Sequence, residues 1–501
     1  MRFSIQNNLL VPETLLKTPT ATDPQPIYKI NQIPLPAQNP DFPYDKELQS
    51  MLAGKQLLLS DLLFPIDIIQ SHYENGYLQY RKSIEVENNQ HTCVRCGNKA
   101  SHLFARFSCA SCGETCTYCR NCIMMGRTGT CTPLISWTGP LPTPAKTTES
   151  PLQWTGTLSE GQSIASQQVV KAVDEIDSLL VWAVCGAGKT EVLFNGINTA
   201  LQDGKRVCLA TPRTDVVLEL SPRLKKVFPD TPVATLYGGS EDRHVHAHLT
   251  IATTHQLLRF YQAFDVVILD EVDAFPYSVD ASLQYAVEQA RKPTSSIIYL
   301  TATPNQQWQK ECRQGKRKVV TIPARFHRYS LPVPHFRWCG NWSKKLKKGR
   351  LPPNVQQWVK ERIQSQKQAL LFFPRIELME QLLPILKKLD PKIEAVYAED
   401  PRRKEKVRAM REKEIPLLLT TTILERGVTF PNLDVAVFGA EDRIFTESAL
   451  VQIAGRVGRS AQYPTGDITF FHYGKTDAMV KARRQIIAMN KEAKEKGLID
   501  D

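Results

Sequence analysis

Six residues, Cys185-Gly-Ala-Gly-Lys-Thr190, follow directly on the apolar run Leu179 to Val184, and this pairing constrains the fold more than any other feature of the chain. It reads as a buried strand that runs into a phosphate-binding loop and then a helix. The backbone N–H groups of such a loop cradle nucleotide phosphates, its lysine reaches the outer phosphates, and its hydroxyl residue holds Mg²⁺. The helix that follows adds its positive end. Gly186, Ala187, Gly188, Lys189 and Thr190 are therefore the candidate nucleotide cradle, with Ala183 standing where the commonest form of the motif has glycine. A glycine-rich turn that merely closes a βα unit is the plain alternative.

A second element narrows the choice. The apolar run from Ala263 to Leu269 ends in Asp270-Glu-Val-Asp273. A carboxylate at the end of a strand can bind Mg²⁺, and its neighbour can orient the attacking water. Asp270 is assigned to the metal and Glu271 to the water. An acidic run on a solvated turn fits poorly with a buried strand and an upstream phosphate loop.

The 501 residues hold three or four domains' worth of chain and carry 63 Lys+Arg against 51 Asp+Glu, a net +12 that favours polyanionic partners. No apolar stretch approaches the roughly 18–20 residues that span a bilayer, and the first residues lack a signal pattern. A cytoplasmic protein is expected, able to dock peripherally at the inner face of the membrane through a partner. Eight of the 12 cysteines fall between Cys93 and Cys131. In a reducing compartment such a cluster argues for metal.

Composition shifts divide the chain. Residues 1–85 form an N-terminal region, Pro-rich and extended or disordered over its first ~45 residues, with helical spacing from Asp45 to Gln70. Residues 86–135 are the cysteine-rich module, and 136–151 a linker containing Pro140 to Pro144. From 152 to 325, strands alternate with helices, the pattern of a doubly wound parallel sheet. A basic, Pro-interrupted segment, 326–350, separates this lobe from a second α/β lobe at 351–501 that ends in a charged helix.

That second lobe contains Gln452-Ile-Ala-Gly-Arg456-Val-Gly-Arg459. An arginine brought from outside the phosphate loop can stabilise the charge of the transferring phosphoryl group. Two glycines argue against an ordinary exposed basic helix, because each weakens it by about 1 kcal/mol. Taken in order, Gly186-Ala-Gly-Lys-Thr190, Asp270-Glu-Val-Asp273, Thr301-Ala-Thr303 and Gln452 to Arg459 resemble the motifs of superfamily 2 helicases over roughly residues 152–475. The resemblance implies two RecA-like lobes that close on ATP, with nucleic acid across both. It implies that Lys189, Thr190, Asp270, Glu271, Arg456 and Arg459 act on the nucleotide, that Gln162 reads adenine, and that Thr301 and Thr303 couple the two sites. Arg213, Thr254, Arg375 and Thr422 would face strand phosphates.

Cys93-Val-Arg-Cys96-Gly97 and Cys109-Ala-Ser-Cys112-Gly113 are zinc-knuckle turns, followed by Cys116, Cys119, Cys122 and Cys131. Four thiolates make a closed structural Zn²⁺ site. Free thiols or an iron–sulfur cluster are the alternatives, and spacing alone leaves the pairing open.

A cysteine module placed before two helicase lobes resembles the ComFA family, late-competence ATPases of Gram-positive bacteria. The run from Tyr118 to Arg127 and the run from Ile423 to Pro431 carry the likeness. The family pairs Cys93 and Cys96 with Cys119 and Cys122; Cys109, Cys112, Cys116 and Cys131 could then form a second site, while a plain ribbon of 93, 96, 109 and 112 also remains. The resemblance implies an ATPase that binds single-stranded DNA and helps import it, with ComFC, DprA and the membrane channel ComEC as partners. A PriA-like replication-restart helicase and an ATP-switched assembly scaffold are the rival readings.

Overall fold

Thirteen strands belong to the α/β parts of the chain. In chain order the strands are β1 (Ser178–Ala183), β2 (Val207–Thr211), β3 (Val233–Leu236), β4 (Leu249–Thr253), β5 (Phe264–Asp270), β6 (Arg291–Thr301), β7 (Val319–Ile322), β8 (His335–Trp338), β9 (Gln368–Phe372), β10 (Glu394–Val396), β11 (Leu417–Thr420), β12 (Leu433–Phe438) and β13 (Ile468–His472). The computed structural model describes residues 1–16, 23–142, 149–347, 349–426 and 430–500. Pro19, Pro144, Lys348 and the Gly427–Thr429 part of the second-lobe motif lie outside the described residues.

The chain divides into two units. The first comprises Met1–Thr155, Val169–Ser178 and Phe194–Tyr299. Its N-terminal part is better ordered than its proline content suggests. Arg2–Gln6 and Leu9–Pro12 pair as an antiparallel hairpin. The connecting Asn7 and Asn8 both have positive φ, 49° and 61°, the conformation a two-residue turn between twisted strands demands. Phe3, Leu10, Ile27, Tyr73 and Tyr80 bury together beneath it. The helical spacing after Asp45 resolves into two helices. Asp45 caps Lys46–Leu52 by accepting from the Glu47 and Leu48 amides, and Pro65 opens Ile66–Glu74. Between them Gly54, at φ +69°, ends the first helix, and an added Cβ there would lie 2.7 Å from Ala263 Cβ.

That close approach belongs to a broad docking of residues 53–56 onto the sheet side of the same unit. Arg206 Nη1 donates to Ala53 O at 2.9 Å, the Tyr261 amide to Gly54 O at 3.0 Å, and the Gln56 amide to Arg259 O at 2.7 Å. The sheet strands of this unit run β3-β4-β2-β5-β6. The β3–β4, β4–β2 and β2–β5 pairs are parallel, and nearly every residue in β2, β4 and β5 is buried, as strands covered on both faces must be.

The second unit comprises Gly156–Gln168, Leu179–Leu193 and Leu300–Asp501. Within it β1 pairs parallel with β7, Leu180 opposite Val319 and Ala183 opposite Ile322. Its six-stranded sheet runs β8-β13-β12-β9-β11-β10 and is parallel throughout. Alternate residues feed two cores: Leu370, Phe372, Val435, Val437 and Phe470 on one face, Ala369, Leu371, Ala436, Phe438 and Phe471 on the other. This is the doubly wound arrangement expected of the second lobe. Strand β8 lies in the basic 326–350 segment, in which no strand is expected, and β7 lies among the lysines and arginines just before it. Charged neighbours mask their apolar content, and only pairing with β1 and β13 makes them strands. The tail helix, Asp477–Glu495, buries Met479, Ala482, Ile486, Met489 and Ala493, so one face is core. No helix among the described residues is long and apolar enough to cross a membrane.

Candidate nucleotide site and cysteine module

The phosphate loop leaves β1 with Gly186 at φ +85° and Gly188 at φ +69°, conformations that glycine adopts without strain. Gly188 is the N-cap of the helix Lys189–Val192. Gln162, 5% exposed, braces the loop: its Nε2 donates to Ala187 O at 2.8 Å, and its Oε1 accepts from the Ser159 amide at 2.8 Å.

The same unit brings the Gln452–Arg459 segment onto this loop. The Cys185 thiol donates to Gln452 Oε1 at 3.0 Å. Gly455 ends the helix Glu447–Ala454, and a Cβ built on it would lie 2.4 Å from Cys185 Cβ. Arg325 completes the junction. It is 2% exposed and donates to Cys185 O at 3.0 Å, to Val457 O at 2.7 Å and to Gly455 O at 3.2 Å, with a further short bond to Gly458 O. Burial, with Arg459 nearby, pushes its guanidinium down to about 10. Arg456 is 2% exposed and its Nε donates to Glu425 O at 3.0 Å. Arg459 Nε returns to Gly455 O at 2.8 Å. Gly458, at φ +69°, has Pro464 O only 2.2 Å from the place of a Cβ. Thr303 Oγ1 bonds Ser448 Oγ at 2.8 Å, and the Thr303 amide donates to Thr301 Oγ1 at 2.9 Å, which ties the Thr301–Thr303 segment to the same helix.

Sequence reasoning missed Arg325. It lies in a stretch rich in lysine and arginine, where nothing local separates a buried cation from solvated ones. The Cys185 thiol, to which no role is assigned from the sequence, is a donor.

Asp270 and Glu271 lie in the first unit, at the end of β5. The Glu271 amide donates to Asp270 Oδ1 at 2.9 Å, and Glu271 takes φ +56°, unusual for a residue with a side chain. Arg213 forms a fork with Asp215, at 3.0 and 2.7 Å. Thr254 is fully buried, so its side chain is not at the surface. In the second unit Thr422 is half-buried on a short turn, and Arg375 is well exposed, 3.3 Å from Asp442.

The eight clustered cysteines fall into two sets of four, Cys93/Cys96/Cys119/Cys122 and Cys109/Cys112/Cys116/Cys131, all buried, with the sulfurs of each set within 4.8 Å of one another. The hairpin Phe104–Ser108/Thr115–Cys119 interleaves the sets, which is why the plain ribbon is not formed. Sulfur–sulfur distances are 3.7 Å for both 93–122 and 96–119, 3.6 Å for 109–131 and 3.3 Å for 112–116. A tetrahedron of thiolates about 2.3 Å from a zinc ion has edges of about 3.8 Å, so both donor sets fit the metal. Gly97 and Gly113 each turn at positive φ and donate to the carbonyl of the first cysteine, at 2.7 and 2.8 Å. Arg95, 2% exposed, donates to Cys122 O and Met125 O at 2.7 Å and to Cys122 Sγ at 3.1 Å. Such donors to ligand atoms orient and tune a site.

Three family models match the chain: the competence protein ComFA N-terminal domain over residues 38–136, the DEAD/DEAH box helicase over 163–311, and the helicase conserved C-terminal domain over 354–461. The chain is 47% identical over 450 residues to the competence protein ComFA of Bacillus subtilis, covering 90% of this chain and 96% of that one. It is 42% identical over 378 residues to the competence protein ComFA of Streptococcus pneumoniae, covering 75% and 86%. A transcription-repair-coupling factor of Bacillus subtilis is 24% identical over 344 residues, 64% of this chain but 27% of that protein. The chain therefore belongs to the ComFA family of competence proteins and is a nucleotide-using, nucleic-acid-binding enzyme of the ATPase/helicase type.

Proposed function

We propose that the protein is a cytoplasmic, ATP-driven motor on single-stranded DNA that helps draw transforming DNA into the cell, peripheral to the inner membrane face through ComEC, with ComFC and DprA as further partners. The observation that carries the reading is the junction in the second unit, where Arg325 and Cys185 hold the phosphate loop against the Gln452–Arg459 segment. Two loops that meet there can both touch one nucleotide. In this reading Lys189 binds the outer phosphates, Thr190 and Asp270 hold Mg²⁺, Glu271 orients water, and Arg456 and Arg459 meet the charge that develops on the phosphoryl group. Gln162 exchanges its bond to Ala187 for the adenine edge. Arg213, Thr422 and Arg375 run along strand phosphates, so affinity falls with salt and carries little base preference. Both cysteine sets hold structural Zn²⁺, which supplies cross-links in place of a core. Residues 152–325 and 351–501 serve as the two motor lobes, joined by 326–350; 86–135 is the zinc module, set between the 1–85 region and the 136–151 linker.

The test is ATPase activity with single-stranded DNA of increasing length, duplex DNA and RNA, at two salt concentrations. A rate that climbs with strand length supports a motor. ATPase indifferent to DNA overturns it in favour of a switched scaffold. In the same assay Lys189→Ala abolishes hydrolysis and leaves strand binding measurable; full hydrolysis would remove the phosphate-loop assignment.

A further inference from the structure

The first cysteine set does more than close its own turn, because it is bonded to the helix that follows the Asp270–Asp273 motif. That helix, Ala281–Ala290, lies in the same unit as the module. Asn121 stands between Cys119 and Cys122, and its amide nitrogen lies 3.7 Å from Cys96 Sγ and 2.8 Å from Ser282 Oγ. One side-chain amide thus bridges a candidate metal ligand and the helix. Tyr285, one turn on, donates its hydroxyl to Val94 O at 3.1 Å, inside the first knuckle. Its ring fills the space beside Gly97, where an added Cβ would lie 2.8 Å from the ring.

From Ser282 a series of overlapping short-range bonds runs back to the motif. Ser282 Oγ donates to Asp280 Oδ1 at 2.5 Å, and Asp280 caps the helix through the Ser282 amide at 2.9 Å. The Asp280 amide donates to Pro276 O at 3.0 Å, the Ser278 amide to Ala274 O at 3.1 Å, and the Ala274 amide to Glu271 O at 2.8 Å. Glu271 is held at φ +56° at the end of this run. A side-chain-bearing residue keeps such a backbone only when its surroundings over-determine it.

We infer that Asn121 and Tyr285 are positioning residues: they clamp the helix Ala281–Ala290 to the first cysteine site and thereby hold the Asp270–Asp273 turn in register for hydrolysis. The inference rests on the reading of Glu271 as the group that orients water. Displacing that group by about 1 Å costs on the order of a hundredfold in rate, so a clamp at a distance can set the turnover. The metal-loaded cysteine turn supplies a rigid platform, and the side chains of Asn121 and Tyr285 transmit it.

The experiment uses the zinc-loaded 501-residue chain with Asn121→Ala and, on the opposite side of the contact, Tyr285→Phe. Zinc per chain is measured by mass analysis, DNA-stimulated ATPase gives kcat and the KM for ATP, and hydrogen exchange is followed over residues 271–284. Each variant should keep its zinc, lose roughly tenfold in kcat with KM for ATP little changed, and exchange faster over 271–284. Should Asn121→Ala lose zinc, Tyr285→Phe decides alone, since it removes only a hydroxyl that bonds the Val94 carbonyl and leaves the ring in place. Unchanged kcat or unchanged exchange in a variant that keeps its metal overturns the clamp. Glu271→Gln separates this from the parent reading: full hydrolysis in that variant removes the assignment of Glu271, whereas its loss beside unchanged clamp variants removes the clamp only.

Discussion

The Cys185 thiol donates to Gln452 Oε1 at 3.0 Å, and so joins the phosphate loop to a helix more than 260 positions further along the chain. The Gly455 backbone packs on the Cys185 side chain at the same point, since Gly455 has no room for a Cβ beside Cys185 Cβ and Sγ. The loop is therefore shaped from both sides, by its own glycines and by a segment that reaches it only in the folded protein.

Gly455→Ala tests that packing. The new methyl meets Cys185 Cβ at 2.4 Å and forces the two segments apart. We expect a loss of about 1–3 kcal/mol in stability, the usual cost of overpacking, and at least a tenfold loss of ATPase. Thermal melting and steady-state hydrolysis check it; a variant with unchanged activity and melting would show that the contact gives way freely.

Arg325→Leu removes the donor to the Cys185, Gly455 and Val457 carbonyls. Buried acceptors left without partners cost about 1–3 kcal/mol each. The variant should lose on the order of 3 kcal/mol or more in urea unfolding and hydrolyse ATP poorly. Lysine at the same position should restore little, because it cannot spread donors over several carbonyls.

The cysteine sets predict a stoichiometry of two zinc ions per chain. Cys119→Ser and Cys116→Ser, in separate sets, should each leave one ion by mass analysis and loosen a different part of the module, since metal binding is coupled to folding there. Zinc content unchanged in Cys119→Ser would show that the grouping is not the ligand set.

Lys55 supplies a pH test. It is buried, donates to Arg243 O at 3.2 Å, and lies near Arg206, Arg259, His244 and His246. Burial first, then Arg206 and Arg259, pushes its ammonium from 10.5 down to about 7. Below that pH the lysine is protonated in both folded and unfolded chains and adds no slope. Between about 7 and 10.5 the unfolded chain binds the extra proton, so this group makes stability rise with pH. Melting measured across the window should climb more steeply in the native protein than in Lys55→Met. Parallel curves would refute the assignment.

Local chemistry makes much of this protein legible in its sequence. Apolar runs of four to seven residues between helical stretches mark most strands of both sheets, because a strand covered on both faces must be apolar along its length. The phosphate loop, the Asp270–Asp273 turn and the Cys-x-x-Cys-Gly knuckles are equally local, since each is a short backbone shape that only certain residues adopt. Tertiary structure decided the rest. Strands β7 and β8 exist because β1 and β13 offer them edges. The cysteines interleave because a hairpin carries Cys116 and Cys119 into different sets. Arg325 and Asn121 acquire their partners 130 and 161 positions away. A hydrogen bond between distant segments leaves no mark on the residues beside it, so its donors look in sequence like any other polar side chains until the fold brings their acceptors near.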